Sequence, residues 1–339
     1  MESKRINLAL QGGGAHGAFT WDVLDRLLDE GALEVAAISG TSAGALNGAA
    51  FKAGWVTGGR DGAREALDWL WGQMGAIDDM RMPAWMMGWM PGAGVGASAM
   101  QYSLPVAISD SVARVASPYS YGPFYSNPLR RVVEKFAYEK VCANDAPRLN
   151  VCATNVRNGK IRIFGGQEIG PDALLASACL PTLFQAVEID GEAYWDGGYT
   201  GNPALFPLFE LDLPGDIVIV NINPLDRPDI PKSPQEIQNR INEISFNSSL
   251  LRELRAIKFV QRLLDTGTVP EGAMKRVHLH MIADDPLMAE LSAATKMAAN
   301  PFLLARLKEA GRIAADNFLA AHWDDLGQRG SVDLDDMFN

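Results

Sequence analysis

"LALQGGGAHGAF", residues 8–19, places a glycine-rich turn between an apolar strand and an amphipathic run. Gly12, Gly14 and Gly17 match the dinucleotide fingerprint G-x-G-x-x-G, in which glycines let backbone amides approach a pyrophosphate. The same amides would equally suit the oxygen of an ester under attack. Residues 5–10 read as a buried strand. After the turn, Phe19, Val23, Leu24, Leu27 and Leu28 recur at helical spacing until Gly31 stops the pattern, and "LEVAAISG", residues 33–40, is a second short apolar strand. Strand, helix and strand in so short a span form a βαβ unit, which predicts a parallel sheet with a right-handed crossover and an α/β fold.

A dinucleotide site also needs an acidic residue at the end of the second strand to bind a ribose hydroxyl. Glu30 stands before that strand and Glu34 at its start, the wrong end. The strand runs instead into Gly40-Thr41-Ser42-Ala43-Gly44, a G-x-S-x-G pattern between a strand and an Ala/Gly-rich helical run, residues 43–55. Small flanking residues permit the tight turn that lifts a nucleophilic serine above a sheet at a helix N-terminus. The plain alternative is an ordinary strand-to-helix turn. With Ser42 as nucleophile, the amides of Gly12, Gly13 and Gly14 and that of Ala43 would receive the oxyanion.

Further along, "GAREALDWLWGQM" continues as a helix, Asn127-Pro128 predicts a helix start, and "RLNVCATNVRNGKIRIFGG" predicts a hairpin. "DALLASACLP" reads as a short helix, "QAVEIDGEAYWDGG" as a strand pair about Asp190-Gly191, and "GDIVIVNIN" as a buried strand. A long helix spans residues 235–265, with Ile237, Ile241, Ile244, Leu251, Leu254, Ile257 and Val260 at helical spacing; a packed face is the first reading and a partner face the second. "RVHLHMIA" is one more strand, on which His278 and His280 share a side. Absence of a repeat or linker predicts a single domain over 1–339, with a core at 5–225, an apolar cap at about 74–125 and a C-terminal helical region at about 233–339.

The cap expectation rests on residues 82–109, which contain no charged residue; seven of the 13 methionines lie between 74 and 100. Pro83, Gly88, Pro91, Gly92, Gly94, Gly96 and Pro105 interrupt the run too often for a membrane span. A lid over an acyl groove, core packing and an oligomer interface all remain open for it. Lys plus Arg total 30 against 41 Asp plus Glu, a net charge of -11, which argues against nucleic acid as a partner and against a polybasic membrane anchor. Cys142, Cys152 and Cys179 are too scattered for a disulfide framework, and the four histidines show no metal spacing, so no metal and no organic cofactor is expected. No signal peptide is visible, and the expected location is the cytoplasm, with at most a weak peripheral contact to a lipid surface.

Asp196 ends the run "EAYWD" and is followed by Gly197 and Gly198. From the residues alone it serves equally as a base for Ser42 or as an Asx cap of its own loop; Asp190 and Asp216 are weaker rivals. Four segments, "GGGAHGAF", "GTSAGAL", "SACLPTLF" and "YWDGGYTGNPAL", occur in an order that resembles the patatin-like phospholipase family, convincingly over residues 5 to about 225. The resemblance implies a three-layer α/β/α fold with a mainly parallel central sheet. It also implies a serine lipid acyl hydrolase of the phospholipase A, lysophospholipase or esterase type, working through an acyl-enzyme. It makes Ser42 the nucleophile and Asp196 the base of a Ser-Asp dyad, with Gly40, Gly44, Gly197 and Gly198 as supporting glycines. His16 departs from the family pattern, which has Arg or Lys in the glycine turn; a surface or supporting histidine is expected there. His278 and His280 could supply a base instead, but packed strand histidines are the simpler reading. Transfer of the acyl group to an acceptor, attack on a water-insoluble storage ester, and a non-catalytic lipid-binding protein are the alternatives. The expected partner is a lipid or other hydrophobic ester, and a homo-oligomer stays open.

Overall fold

The computed structural model describes residues 3–81, 117–144, 147–270, 272–291, 293–297 and 299–338. The chain opens with the expected unit: strand β1 (Lys4–Leu10), helix α1 (Gly17–Leu28) and strand β2 (Leu33–Thr41), with the two strands paired in parallel. Strands β3 (Arg148–Asn155) and β4 (Ile161–Gly165) make the predicted hairpin, and β5 (Val187–Ile189) and β6 (Glu192–Asp196) make the second. In the second hairpin both turn residues are left-handed, Asp190 at φ 52° and Gly191 at φ 81°, the conformation that a two-residue turn between right-twisted strands requires. Strands β7 (Asp216–Asn221) and β8 (His278–Ala283) complete one eight-stranded sheet of order β5-β6-β3-β2-β1-β7-β8, with β4 also on β3. From β3 to β8 the path is parallel; β4 and β6 run against it, and β5, antiparallel to β6, runs with it again.

Side-chain alternation explains why the central strands are apolar throughout. Ile6, Leu8 and Leu10 of β1 with Val218 and Val220 of β7 face one helical layer, which holds α1, the first turns of α2 (Ala43–Arg81), α3 (Pro171–Ser177) and α5 (Pro301–His322). Ala9, Ile217 and Ile219 point the other way, against Leu250, Leu254 and Ile257 of α4 (Pro234–Asp265). A sheet covered on both faces needs no polar side, and this is the three-layer α/β/α arrangement.

Helix α2 joins the two expected helices across a kink at Gly58 and Gly59. The helix predicted from Asn127-Pro128 starts later, at Arg130; Asn127 Oδ1 accepts the N–H of Leu129 at 3.0 Å and makes a turn first. The packed face expected along α4 holds only for its second half. Ile237, Ile241 and Ile244 are exposed, Ile241 by 54%, while the first half buries Glu243 and Asn247 instead. Glu243 is held inward by Arg227 at 2.6 Å and Asn247 by the carbonyl of Pro224 at 3.1 Å, so polar partners set the rotation of this half. The expected lid at 82–109 lies outside the described residues. Among the described residues no helix is long and apolar enough to cross a membrane.

Candidate active site

The carboxyl ends of β1, β2 and β7 meet at one edge of the sheet, where ligands of open α/β sheets bind. Ser42 stands between β2 and α2 with φ +53°, a left-handed conformation that a non-glycine residue adopts only under constraint. The constraint is local. A Cβ on Gly44 would run into the carbonyl of Leu10, so only glycine lets α2 begin this close to β1. The Ser42 N–H donates to Ser177 Oγ at 2.9 Å, and Thr41 Oγ1 donates to the carbonyl of Gly201 at 2.6 Å, which ties the elbow to the segments on either side of Asp196.

Asp196 reaches the same edge because β6 pairs with β3, placing it opposite Ala153, and β3 lies next to β2. Its side chain is buried, 3% exposed, and Oδ1 accepts the N–H of Gly198 at 2.8 Å. The Asx cap foreseen as a rival reading is therefore present, and the carboxylate faces the cleft that holds Ser42 as well. Burial raises its pKa to about 7; the Gly198 N–H and the Ser42 side chain, as hydrogen-bond donors, oppose that rise.

The glycine turn lies directly over the serine: a Cβ on Gly12 would sit 2.7 Å from that of Ser42. One expectation for this turn changes. The Gly12 N–H donates to Asn202 Oδ1 at 2.7 Å, so it is engaged within the protein. The N–H groups of Gly13 and Gly14 have no partner among the described residues, and both glycines line the cleft with Ser42. Ala43 begins α2 beside them, with its amide in the orphan first turn of the helix.

His16 is not at the surface. It is buried, Nε2 lies 2.8 Å from Thr295 Oγ1, and desolvation, with Lys296 and Arg227 nearby, pushes its pKa well below the ordinary value. The cation of this region is Lys296, which no motif in the sequence marks; it lies in the 3₁₀ turn Ala293–Met297 and lines the cleft alongside Ser42. Gln11, Asn202, Asn223 and Phe246 also belong to the site and lie outside the predicted set. The legible signal was position: Asn202-Pro203 and Asn223-Pro224 follow glycine and strand segments at the sheet edge, where buried polar residues have work to do. His278 and His280 are not brought to Ser42; both address Asp216.

Ser42, Gly14, Leu180, Lys296 and Met297 stand between two hollows. One contains Asp196 and the glycine turn. The other is an apolar groove of about 850 Å³, counting its open mouth, walled by Leu46, Leu70, Trp71, Met74, Leu129 and Phe184. A hydrocarbon chain attached to a carbonyl at Ser42 would lie in it without exposing polar groups.

The family model of patatin-like phospholipases matches residues 8–209, more than half of the chain. Among solved structures, VipD from Legionella pneumophila is similar at 14% identity and a TM-score of 0.43, covering 95% of this chain and 67% of its own. The ExoU–SpcU complex of the Pseudomonas aeruginosa type III secretion system is similar at 14% identity and a TM-score of 0.33, covering 96% of this chain and 60% of that one. No curated protein matches the chain. By its family match, the chain belongs to the patatin-like phospholipases, a family of lipid acyl hydrolases.

Proposed function

We propose that this protein hydrolyses carboxylic esters of lipids by a Ser-Asp dyad, Ser42 attacking and Asp196 serving as base. The observation that carries the reading is the conjunction at Ser42: a left-handed serine at a strand-to-helix turn, beside a buried carboxylate, opening into an apolar groove. Asp196 takes the Ser42 proton as Oγ adds to the carbonyl carbon. The tetrahedral oxygen is received by the N–H groups of Gly13, Gly14 and Ala43, each worth about 3 kcal/mol of barrier. Collapse expels the alcohol, which takes the proton from Asp196. Water then adds to the acyl-enzyme by the same sequence and releases the fatty acid. A base with a pKa near 7 suits proton transfer at neutral pH. Gly12 is left out of the oxyanion set because its N–H is engaged by Asn202.

The test is hydrolysis of p-nitrophenyl esters of graded chain length and of phosphatidylcholine by wild type, Ser42→Ala and Asp196→Asn. Turnover by wild type and its loss by a factor of about 10³ or more in both variants is expected. A folded wild type that turns over none of them would move the reading to a lipid binder.

A further inference from the structure

We propose that Lys296 and Asn223 are positioning residues that brace the Gly12–Gly13 peptide of the oxyanion turn, with Lys296 as the cation of the site. The inference rests on the hydrolase reading of Ser42 for its meaning. Its geometry stands apart: the residues that do the bracing, Asn223, Thr295 and Lys296, lie beyond the segment that matches the family.

Asn223 is buried just after β7, and each polar atom of its side chain is used. Nδ2 donates to the carbonyl of Gly12 at 2.8 Å and to Gln11 Oε1 at 3.0 Å, and Oδ1 accepts from Lys296 Nζ at 2.6 Å. The carbonyl of Gly12 and the N–H of Gly13 belong to one planar trans peptide, in which they point in opposite directions. Holding the carbonyl on Asn223 therefore fixes the direction of the Gly13 N–H, the first amide of the turn left without a partner among the described residues. Glycines impose little restraint of their own, so the orientation must come from outside the turn.

The segment that carries Lys296 grips the turn at two further points. The Lys296 carbonyl packs against Gly14, which adopts φ +58° and leaves no room for a Cβ, and Thr295 Oγ1 meets His16 Nε2. His16, held neutral, cannot supply charge here; the Lys296 ammonium does, from the wall shared by both hollows. Glu243 from α4 favours the charged lysine, Arg227 from the segment after β7 opposes it, and burial is the largest influence, bringing the pKa down to about 8.

The test compares wild type, Lys296→Met, Lys296→Arg and Asn223→Asp for hydrolysis of p-nitrophenyl butyrate and for the rate of Ser42 labelling by a fluorophosphonate. Both are measured from pH 5.5 to 10, with melting curves to check folding. Lys296→Met is expected to lower kcat and labelling about 10- to 100-fold with little change in KM, since a misaimed donor forfeits much of what a missing one does. Asn223→Asp, which still pairs with Lys296 but offers no donor to Gly12, should lose as much. Lys296→Arg should recover to within about fivefold and carry the alkaline limb upward from about pH 8, because a guanidinium stays charged. Lys296→Met within threefold of wild type, a loss confined to KM, or an alkaline limb that stays in place in Lys296→Arg overturns the brace. A wild type that is labelled yet hydrolyses no ester defeats the hydrolase reading, and the labelling rates then decide the brace by themselves. Should Lys296→Met not fold, Lys296→Arg and Asn223→Asp decide it.

Discussion

His280 Nε2 lies 2.9 Å from Asp216 Oδ1, and His280 Nδ1 lies 3.0 Å from Ser331 Oγ. Serine, histidine and aspartate are thus in line, but on the β7–β8 side of the sheet, with the N–H groups of Ser331 and Val332 both given to the Leu279 carbonyl. Those two amides, next to the serine, are thus engaged within the protein; the array fastens the C-terminal segment to the sheet edge. Burial acts to raise the Asp216 pKa, yet His278, with Nδ1 3.7 Å away, and hydrogen bonds from His280 and the Gly327 N–H hold it well below the usual carboxylate range.

A depressed carboxylate contributes stability that is complete above its unfolded pKa, near 3.9, and is lost as pH falls through the folded value. Asp216→Asn should therefore cost about 2 kcal/mol at pH 7 and progressively less below pH 4. Urea unfolding of both proteins at several pH values measures it; a gap that does not narrow in acid contradicts the assignment.

Asp196 has the opposite sign. Its pKa is raised to about 7, so the ionised form burdens the fold above pH 7, and the burden vanishes below about pH 4, where the unfolded carboxyl is protonated too. Asp196→Asn should be more stable than wild type by about 1–3 kcal/mol at pH 8 and equal to it at pH 4, while losing activity. In wild type, kcat/KM should fall tenfold per pH unit below about pH 7. Denaturation curves and a pH–rate profile read the two halves of this prediction.

Ser42 at φ +53° carries strain of about 1 kcal/mol that a glycine would not. Ser42→Gly should therefore be about 1 kcal/mol more stable than Ser42→Ala, though both lack the nucleophile. Equal unfolding midpoints for the two would mean that the elbow is unstrained.

The groove beside Ser42 should make kcat/KM rise about fourfold for each methylene added to the acyl chain until the space is filled, at about 0.8 kcal/mol per CH₂. Leu129 stands on its wall and is only partly buried, so Leu129→Trp can narrow the groove without overfilling the core. Its chain-length profile should turn over at least two carbons earlier. An unshifted profile would place the acyl chain elsewhere.

Much of this protein could be read from local pattern. Residues 8–19 with the strand at 33–40 predicted the parallel start, and the Asp190-Gly191 and Asn158-Gly159 turns predicted both hairpins, because period and turn chemistry act over a few residues. The G-x-S-x-G run marked Ser42 for the same reason: the elbow is made by its own neighbours. Asp196 was only half legible, since a strand-end aspartate before glycines caps its own loop whether or not a serine stands nearby, and here it does so.

What the tertiary structure decided are relations between residues far apart in the chain. That Gly12 spends its N–H on Asn202, that Lys296 supplies the charge His16 lacks, that His278 and His280 serve Asp216, and that the first half of α4 buries Glu243 in place of its isoleucines all depend on which strand lies beside which. The amino-acid sequence by itself determined the βαβ start and the serine-bearing elbow, because sterics and periodicity are short-ranged. Satisfying buried polar groups is a three-dimensional matter: a donor takes whatever acceptor the packed sheet brings within about 3 Å, and no spacing in the chain encodes that distance.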